Sequence, residues 1–206
     1  YGDIEDLPRV EERIGKPLSP YAVSKRTNEL YAHIFSTVYG MEIIGLRYFN
    51  VFGKNQDPDS PYAAVIPKFF KSLLNEEPPT IYGDGETTRD FCYVGNVVHA
   101  NLLAMEVNDA EAFNQVYNIA YGKQTSLNEL FKMIKEIIVE YLGNNGYKEK
   151  AERILEIEPV YGPFRKGDIR HSLADISKAK KLLGYEPRVD VREGLRLCLK
   201  FYAMNL

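Results

Sequence analysis

The sequence predicts an α/β chain. Three observations carry this: a strongly capped helix near the start, an apolar segment with an Ile-Ile core immediately after it, and a strand–helix alternation that continues to the end. Residues 1–18 read as loop, punctuated by Gly2, Pro8, Gly15 and Pro17. Ser19 is then a good N-cap. Pro20 sits at the first helical position, where its missing N–H costs nothing. Leu18 and Val23 are spaced to form a hydrophobic staple, and Gly40 is a left-handed stop after Tyr39. Within this helix Leu30, Ile34 and Val38 recur at helical spacing. Met41–Phe49 reads as a buried strand. A helix is expected at 62–75, with short strands near 80–82 and 90–94. A helix at 96–107, a strand at 115–119 and a helix at 126–142 follow. Gly143-Asn144-Asn145-Gly146 reads as a flexible turn, and the charged stretch to Arg153 as a surface insertion. A strand at 154–160, an irregular stretch to 174 and helices at 176–184 and 191–204 finish the chain.

At 206 residues there is room for one sizeable domain or two small ones. The net charge of −3 gives no support for nucleic-acid or anionic-membrane binding, which need a basic stripe. Cys92 and Cys198 form neither a CxxC pair nor part of a His/Cys cluster, so neither a disulfide framework nor a metal site is expected. A reducing, cytoplasmic setting fits. No apolar run approaches the length of a membrane span.

Two stretches carry chemistry. Ser19-Pro20-Tyr21-Ala22-Val23-Ser24-Lys25 puts a tyrosine and a lysine one turn apart, and Arg47-Tyr48-Phe49-Asn50-Val51-Phe52-Gly53 is a strand ending on a polar residue. With 15 tyrosines and 15 lysines in the chain, one Tyr-x-x-x-Lys pair is expected by chance, so spacing alone is also met by a surface tyrosine beside a solvated lysine. Placement in the first turn of a capped helix is what singles this pair out. A free tyrosine, with a pKa of about 10, is a poor base at neutral pH. An ammonium about 5 Å away stabilises a phenolate by roughly 3 kcal/mol at an effective dielectric of ~20. A tyrosine so placed can take a proton from a sugar hydroxyl.

With these motifs the sequence resembles the extended short-chain dehydrogenase/reductase family, and within it the NAD-dependent sugar-nucleotide epimerases. Tyr1-Gly2-Asp3, Ala64-Val65-Ile66-Pro67, Tyr82-Gly83-Asp84-Gly85 with Arg89-Asp90-Phe91, and Arg165 with Asp168 fall in the family's order and spacing. The resemblance implies the C-terminal part of a doubly wound, Rossmann-like parallel sheet plus a smaller α+β substrate domain. Residues 1–53 and 90–121 would belong to the first, 54–89 and 122–206 to the second. It implies Tyr21 as catalytic base, with Lys25 binding the nicotinamide ribose and tuning Tyr21, and Phe49 beside the cofactor. Asn50, Gln56, Ala64, Val65, Pro67, Arg89, Arg165, Asp168 and Ser172 would line the substrate site. The two arginines would clamp the diphosphate, which suits planar bidentate donors. Asp168 would hold the ribose, and Ala64 to Pro67 the base. Residue by residue, plainer readings stay open: Arg89 paired with Asp90, Asn50 capping a turn, Arg165 and Asp168 as loop charges, Ser172 in a surface turn.

Nothing upstream of Tyr21 matches a Gly-x-x-Gly-x-x-Gly loop, and the serine or threonine expected ahead of Tyr1 is absent. The chain is therefore expected to be a piece of a longer NAD-dependent enzyme, inactive and without NAD on its own. An exposed sheet flank makes self-association, or a neighbouring chain covering that surface, the expected state; a homodimer, with the 20–39 helix as a candidate interface, is the expected assembly. In the resembling epimerases a small residue at the position of Ser172 leaves room for an N-acetyl group. Together with Gln56-Asp57-Pro58 and the run Arg170–Asp175, this points to bacterial UDP-N-acetylglucosamine 4-epimerases of polysaccharide synthesis. A sugar-nucleotide dehydratase, a uronate epimerase or decarboxylase, and a non-enzymatic nucleotide-sugar binding protein are the alternatives.

Overall fold

A computed structural model describes residues 1–57, 59, 64–165 and 169–203. Helix α1 runs Pro20–Tyr39. The Ser19 side chain accepts from the Ala22 N–H at 3.1 Å, and Gly40, at φ 66°, donates to the Ser36 carbonyl at 3.0 Å. Both ends are closed as the sequence predicts. The expected staple is not buried, since Leu18 and Val23 both stay largely exposed.

Strand β1 (Ile44–Tyr48) follows, then β2 (Val51–Phe52), helix α2 (Val65–Leu74), β3 (Thr80–Tyr82), β4 (Thr88–Arg89) and β5 (Cys92–Tyr93). Helix α3 (Val94–Glu106) starts directly from β5, so the strand expected at 90–94 is cut to two residues. Then come a 3-10 turn (Ala110–Ala112), β6 (Gln115–Ile119), β7 (Thr125–Ser126) and α4 (Leu127–Asn144). Ser126 and Glu129 form a full capping box at the start of α4. Helix α5 (Lys148–Leu155), β8 (Val160–Gly162), α6 (Ser177–Leu183) and α7 (Val191–Tyr202) complete the chain.

The charged stretch to Arg153 is a helix and not a surface insertion. Ala151 and Ile154 lie on one face of α5 and are buried against the α4 core, while the Lys and Glu side chains point outward. Ile154 therefore belongs to a helix, and the strand expected at 154–160 shrinks to β8.

β1 and β6 pair in parallel from Ile44↔Gln115 to Tyr48↔Ile119, across a long connection that includes α3. β2 with β5 and β3 with β8 are also parallel, whereas β4 and β7 run antiparallel. This is the α/β, mostly parallel architecture that the alternation predicts. Two hydrophobic clusters support it. One joins α2, α4 and α7 through Phe69, Phe70, Leu130, Ile134 and Leu195 to Phe52 and Phe91. The other sets Tyr117 and Ile119 of β6 against Ala100 of α3, Ala179 of α6 and Tyr185. α1 stands apart: none of its residues is buried. Among the described residues no helix is long and apolar enough to cross a membrane.

Candidate active site

The end of β1 leads through Phe49 to Asn50. The Phe49 N–H donates to Ile119 at 3.0 Å, and the Asn50 carbonyl accepts from Cys92 at 3.1 Å, so the sheet carries this turn rigidly to the mouth of a cavity. The cavity has a volume of about 480 Å³, within the range of small-ligand sites. Asn50, Ala64, Val65, Arg89 and Arg165 line it together. These residues are far apart in sequence, and the fold brings them to one cavity lined by α2, β3 and β4.

Lys68 and Lys71 of α2 line the same cavity, giving four cationic side chains and no carboxylate among the described lining residues. Lys71 pairs with Asp59. The Arg165 guanidinium lies over the Tyr82 ring, 4.0 Å from its centroid, a contact that holds a flexible side chain at the rim. Arg89 donates to the Thr88 carbonyl at 2.9 Å. The tight Tyr82-Gly83-Asp84-Gly85 turn beneath it needs glycine. Gly85 has φ 79°, and a Cβ there would come within 1.9 Å of Asn128.

Other expected site residues lie outside this lining. Pro67 is buried in the apolar face of α2, whose Lys68 and Val65 face the cavity instead. Gln56 turns inward: its amide accepts from the Gly53 N–H at 3.4 Å and donates to the Val51 carbonyl at 3.3 Å, bracing the turn after β2. Phe49 is buried in the β6 cluster. Ser172 is half-buried, and its N–H donates to the Thr88 carbonyl at 3.2 Å, which sets it beside the strand that carries Arg89. Asp168 lies outside the described residues.

Asp90 accepts from the backbone N–H groups of Tyr121 at 3.0 Å, Gly122 at 3.1 Å and Ala174 at 3.2 Å. It thereby ties the segment after Ser172 to the end of β6. Burial pushes its carboxyl up to about 6 despite these donors.

The tyrosine–lysine pair sits on α1, outside the cavity. Tyr21 is 71% exposed, and the Lys25 ammonium lies 5.2 Å from the centre of its ring. Glu29, one turn further on, receives a two-pronged contact from Arg47 of β1, with Nε at 2.6 Å and Nη2 at 2.9 Å. Burial pushes the Glu29 carboxyl up, but the hydrogen bonds from Arg47 and Arg26 outweigh it and hold the group below the usual glutamate range.

Three signals were beyond reach of the sequence. Lys68 and Lys71 read as the polar side of an amphipathic helix. Tyr82 reads as a strand residue, and the Arg47–Glu29 contact bridges two elements whose packing only the fold defines.

The profile of the GDP-mannose 4,6 dehydratase family matches residues 1–198. The chain belongs to that family. Solved structures similar to this family member include UDP-sugar 4-epimerases. The UDP-glucose 4-epimerase of Thermotoga maritima, solved with UDP-glucose, is 41% identical with a TM-score of 0.84, covering 98% of this chain and 59% of that one. The UDP-N-acetylglucosamine 4-epimerase of Methanobrevibacter ruminantium, in complex with UDP-N-acetylmuramic acid, is 40% identical with a TM-score of 0.86, covering 100% and 60%. The UDP-glucose 4-epimerase of Thermus thermophilus, in complex with NAD, is 29% identical with a TM-score of 0.79, covering 100% and 61%. The chain spans 53–60% of the length of the first curated relatives it matches.

Proposed function

We propose that this chain supplies the sugar-nucleotide site and the tyrosine–lysine pair of an NAD-dependent UDP-sugar 4-epimerase, acting on UDP-N-acetylglucosamine and UDP-glucose. One observation carries the reading: Asn50, Ala64, Val65, Arg89 and Arg165, picked out by motif, converge on a single cavity whose charged lining is cationic. A diphosphate between a nucleoside and a sugar is the ligand such a lining favours, with planar guanidinium groups suited to its oxygens. The relatives solved with UDP-glucose and with UDP-N-acetylmuramic acid support the same ligand class.

In this reading Arg89 and Arg165 clamp the diphosphate, Ala64 and Val65 flank the base, Asn50 bonds the diphosphate or sugar, and Asp168 the ribose. Gln56 and Pro67 shape the wall from behind. Ser172 borders the sugar's 2-position. Tyr21 takes the C4 hydroxyl proton and later returns it. The Lys25 ammonium, beside Tyr21, would hold a ribose hydroxyl of NAD, and Phe49 would support the cofactor site from the buried cluster behind it. When bound, NAD supplies reversible hydride acceptance at C4. The cluster around β6 is read as the sheet remnant, and the cluster joining α2, α4 and α7 as the substrate domain. The exposed Leu30, Ile34 and Val38 stripe of α1 supports a homodimer through that helix. A cytoplasmic enzyme supplying sugar nucleotides for surface polysaccharide completes the reading; two unpaired buried cysteines are in keeping with it.

The test is product analysis with the whole protein, NAD and each UDP-sugar. Interconversion of the C4 epimers is expected. Tyr21→Phe should keep substrate binding and lose about 10²- to 10⁴-fold in turnover, since only the proton transfer is removed. A 4-keto-6-deoxy product would make the protein a dehydratase, and near-normal rates in Tyr21→Phe would remove the base.

A further inference from the structure

We infer that the Glu29–Arg47 pair is the positioning device of this site: it pins the helix bearing Tyr21 and Lys25 to the strand that delivers Asn50. The inference rests on the epimerase reading and adds two residues to it.

Among the described residues α1 buries no side chain, and its tie to the sheet within this chain includes a two-pronged polar contact from Arg47. The Arg47 Nε and Nη2 meet the two Glu29 oxygens at 2.6 and 2.9 Å, a fork-to-fork geometry that restricts rotation as well as distance. The remaining nitrogen, Nη1, donates to the Glu11 carbonyl at 3.0 Å, so the guanidinium itself is held from behind. It also lies 5.0 Å from the centre of the Tyr1 ring. Both partners are mostly shielded, with side-chain exposures of 17% and 20%. Such shielding separates this pair from a surface ion pair of little consequence.

The location gives the pair its role. Tyr21, Lys25 and Glu29 follow at four-residue steps, each about 6 Å along and about 40° round the helix from the last. Arg47 lies three residues before Asn50 in a strand locked to β6 in continuous register. The contact thus ties the helix of the proton-transferring tyrosine to the strand that leads to the substrate-holding asparagine. Proton transfer works over heavy-atom distances of about 2.6–3.2 Å, and misplacement by about 1 Å can cost on the order of 10²-fold in rate. Arg26, which shares a Glu29 oxygen at 2.7 Å, lies on the same helix and cannot anchor it to the sheet.

The test uses the whole protein with NAD and UDP-glucose. Arg47→Lys keeps the charge and loses the fork; Glu29→Asp keeps the carboxylate and shortens its reach. Each should lower kcat by about 10- to 100-fold, with KM for the UDP-sugar within about threefold, because no cavity residue is touched. The double variant should fall no further than the worse single one, as expected of two residues acting through one contact. If either single variant keeps kcat within about twofold, the inference is overturned. A parallel loss of kcat and substrate affinity also overturns it, because that pattern belongs to general destabilisation. Amide exchange over residues 21–25 gives a readout independent of activity, and Arg47→Lys should speed it while leaving α2 unchanged. Unchanged exchange there refutes the pin even if the protein proves not to be an epimerase; a wild type without epimerase activity but with faster exchange in the variant refutes only the function.

Discussion

Asp90→Asn should flatten the dependence of stability on pH between about 4 and 6. The native carboxyl titrates near 6 against an ordinary value of 3.8, because it is fully buried. The folded state therefore holds the Asp90 proton more tightly than the unfolded state does. Stability from this group is intact below about pH 4 and is lost as pH rises to about 6, where the folded carboxyl must also ionise. Two pKa units correspond to about 3 kcal/mol at 1.36 kcal/mol each. The amide in Asp90→Asn carries no charge and removes that slope. It also leaves an NH₂ facing backbone donors, because both carboxylate oxygens now accept from N–H groups of Tyr121, Gly122 and Ala174. That mismatch costs about 1–3 kcal/mol. Relative to wild type, the variant should therefore gain about 3 kcal/mol of stability between pH 4 and pH 7. Denaturant melts of both proteins at pH 4, 5, 6 and 7 test this, and other carboxylates cancel in the difference. Parallel curves for the two proteins would refute the reasoning.

Two further outcomes are expected. Ser172→Tyr in the whole protein should suppress turnover of UDP-N-acetylglucosamine relative to UDP-glucose by roughly a hundredfold in kcat/KM, since a clash with one ligand group costs about 3 kcal/mol; an unchanged ratio removes the case for the acetamido pocket. Ile154→Ala should destabilise the fold by about 2–5 kcal/mol in denaturant melts, because this fully buried side chain ties α5 to α4; a change near zero would return α5 to the status of a surface insertion.

The parts of the fold that were legible in the sequence are those with local causes. α1 is bounded by Ser19, Pro20 and Gly40, each acting within one turn, and β6 is read within its own residues. β2, β4 and β7 have two residues each, too few to show a period, and exist only because the tertiary fold pairs them. α5 was hidden because its charge dominates and only Ala151 and Ile154 betray the buried face. At the site, Asn50, Arg89 and Arg165, which the family resemblance points to, line one cavity. Lys68 and Lys71 were not legible, because a lysine on a helix's polar side looks the same whether it faces bulk water or a cavity. Gln56 illustrates the converse: a polar residue in a motif whose amide is taken up by its own turn.

The central claim is that the cationic cavity between α2, β3 and β4 holds a nucleoside diphosphate sugar. A crystal structure of the whole protein with UDP-N-acetylglucosamine tests it most directly. The diphosphate is expected between Arg89 and Arg165, the base against Ala64 and Val65, and the sugar directed toward Tyr21. A nucleotide bound elsewhere while this cavity stays free of it would contradict the account.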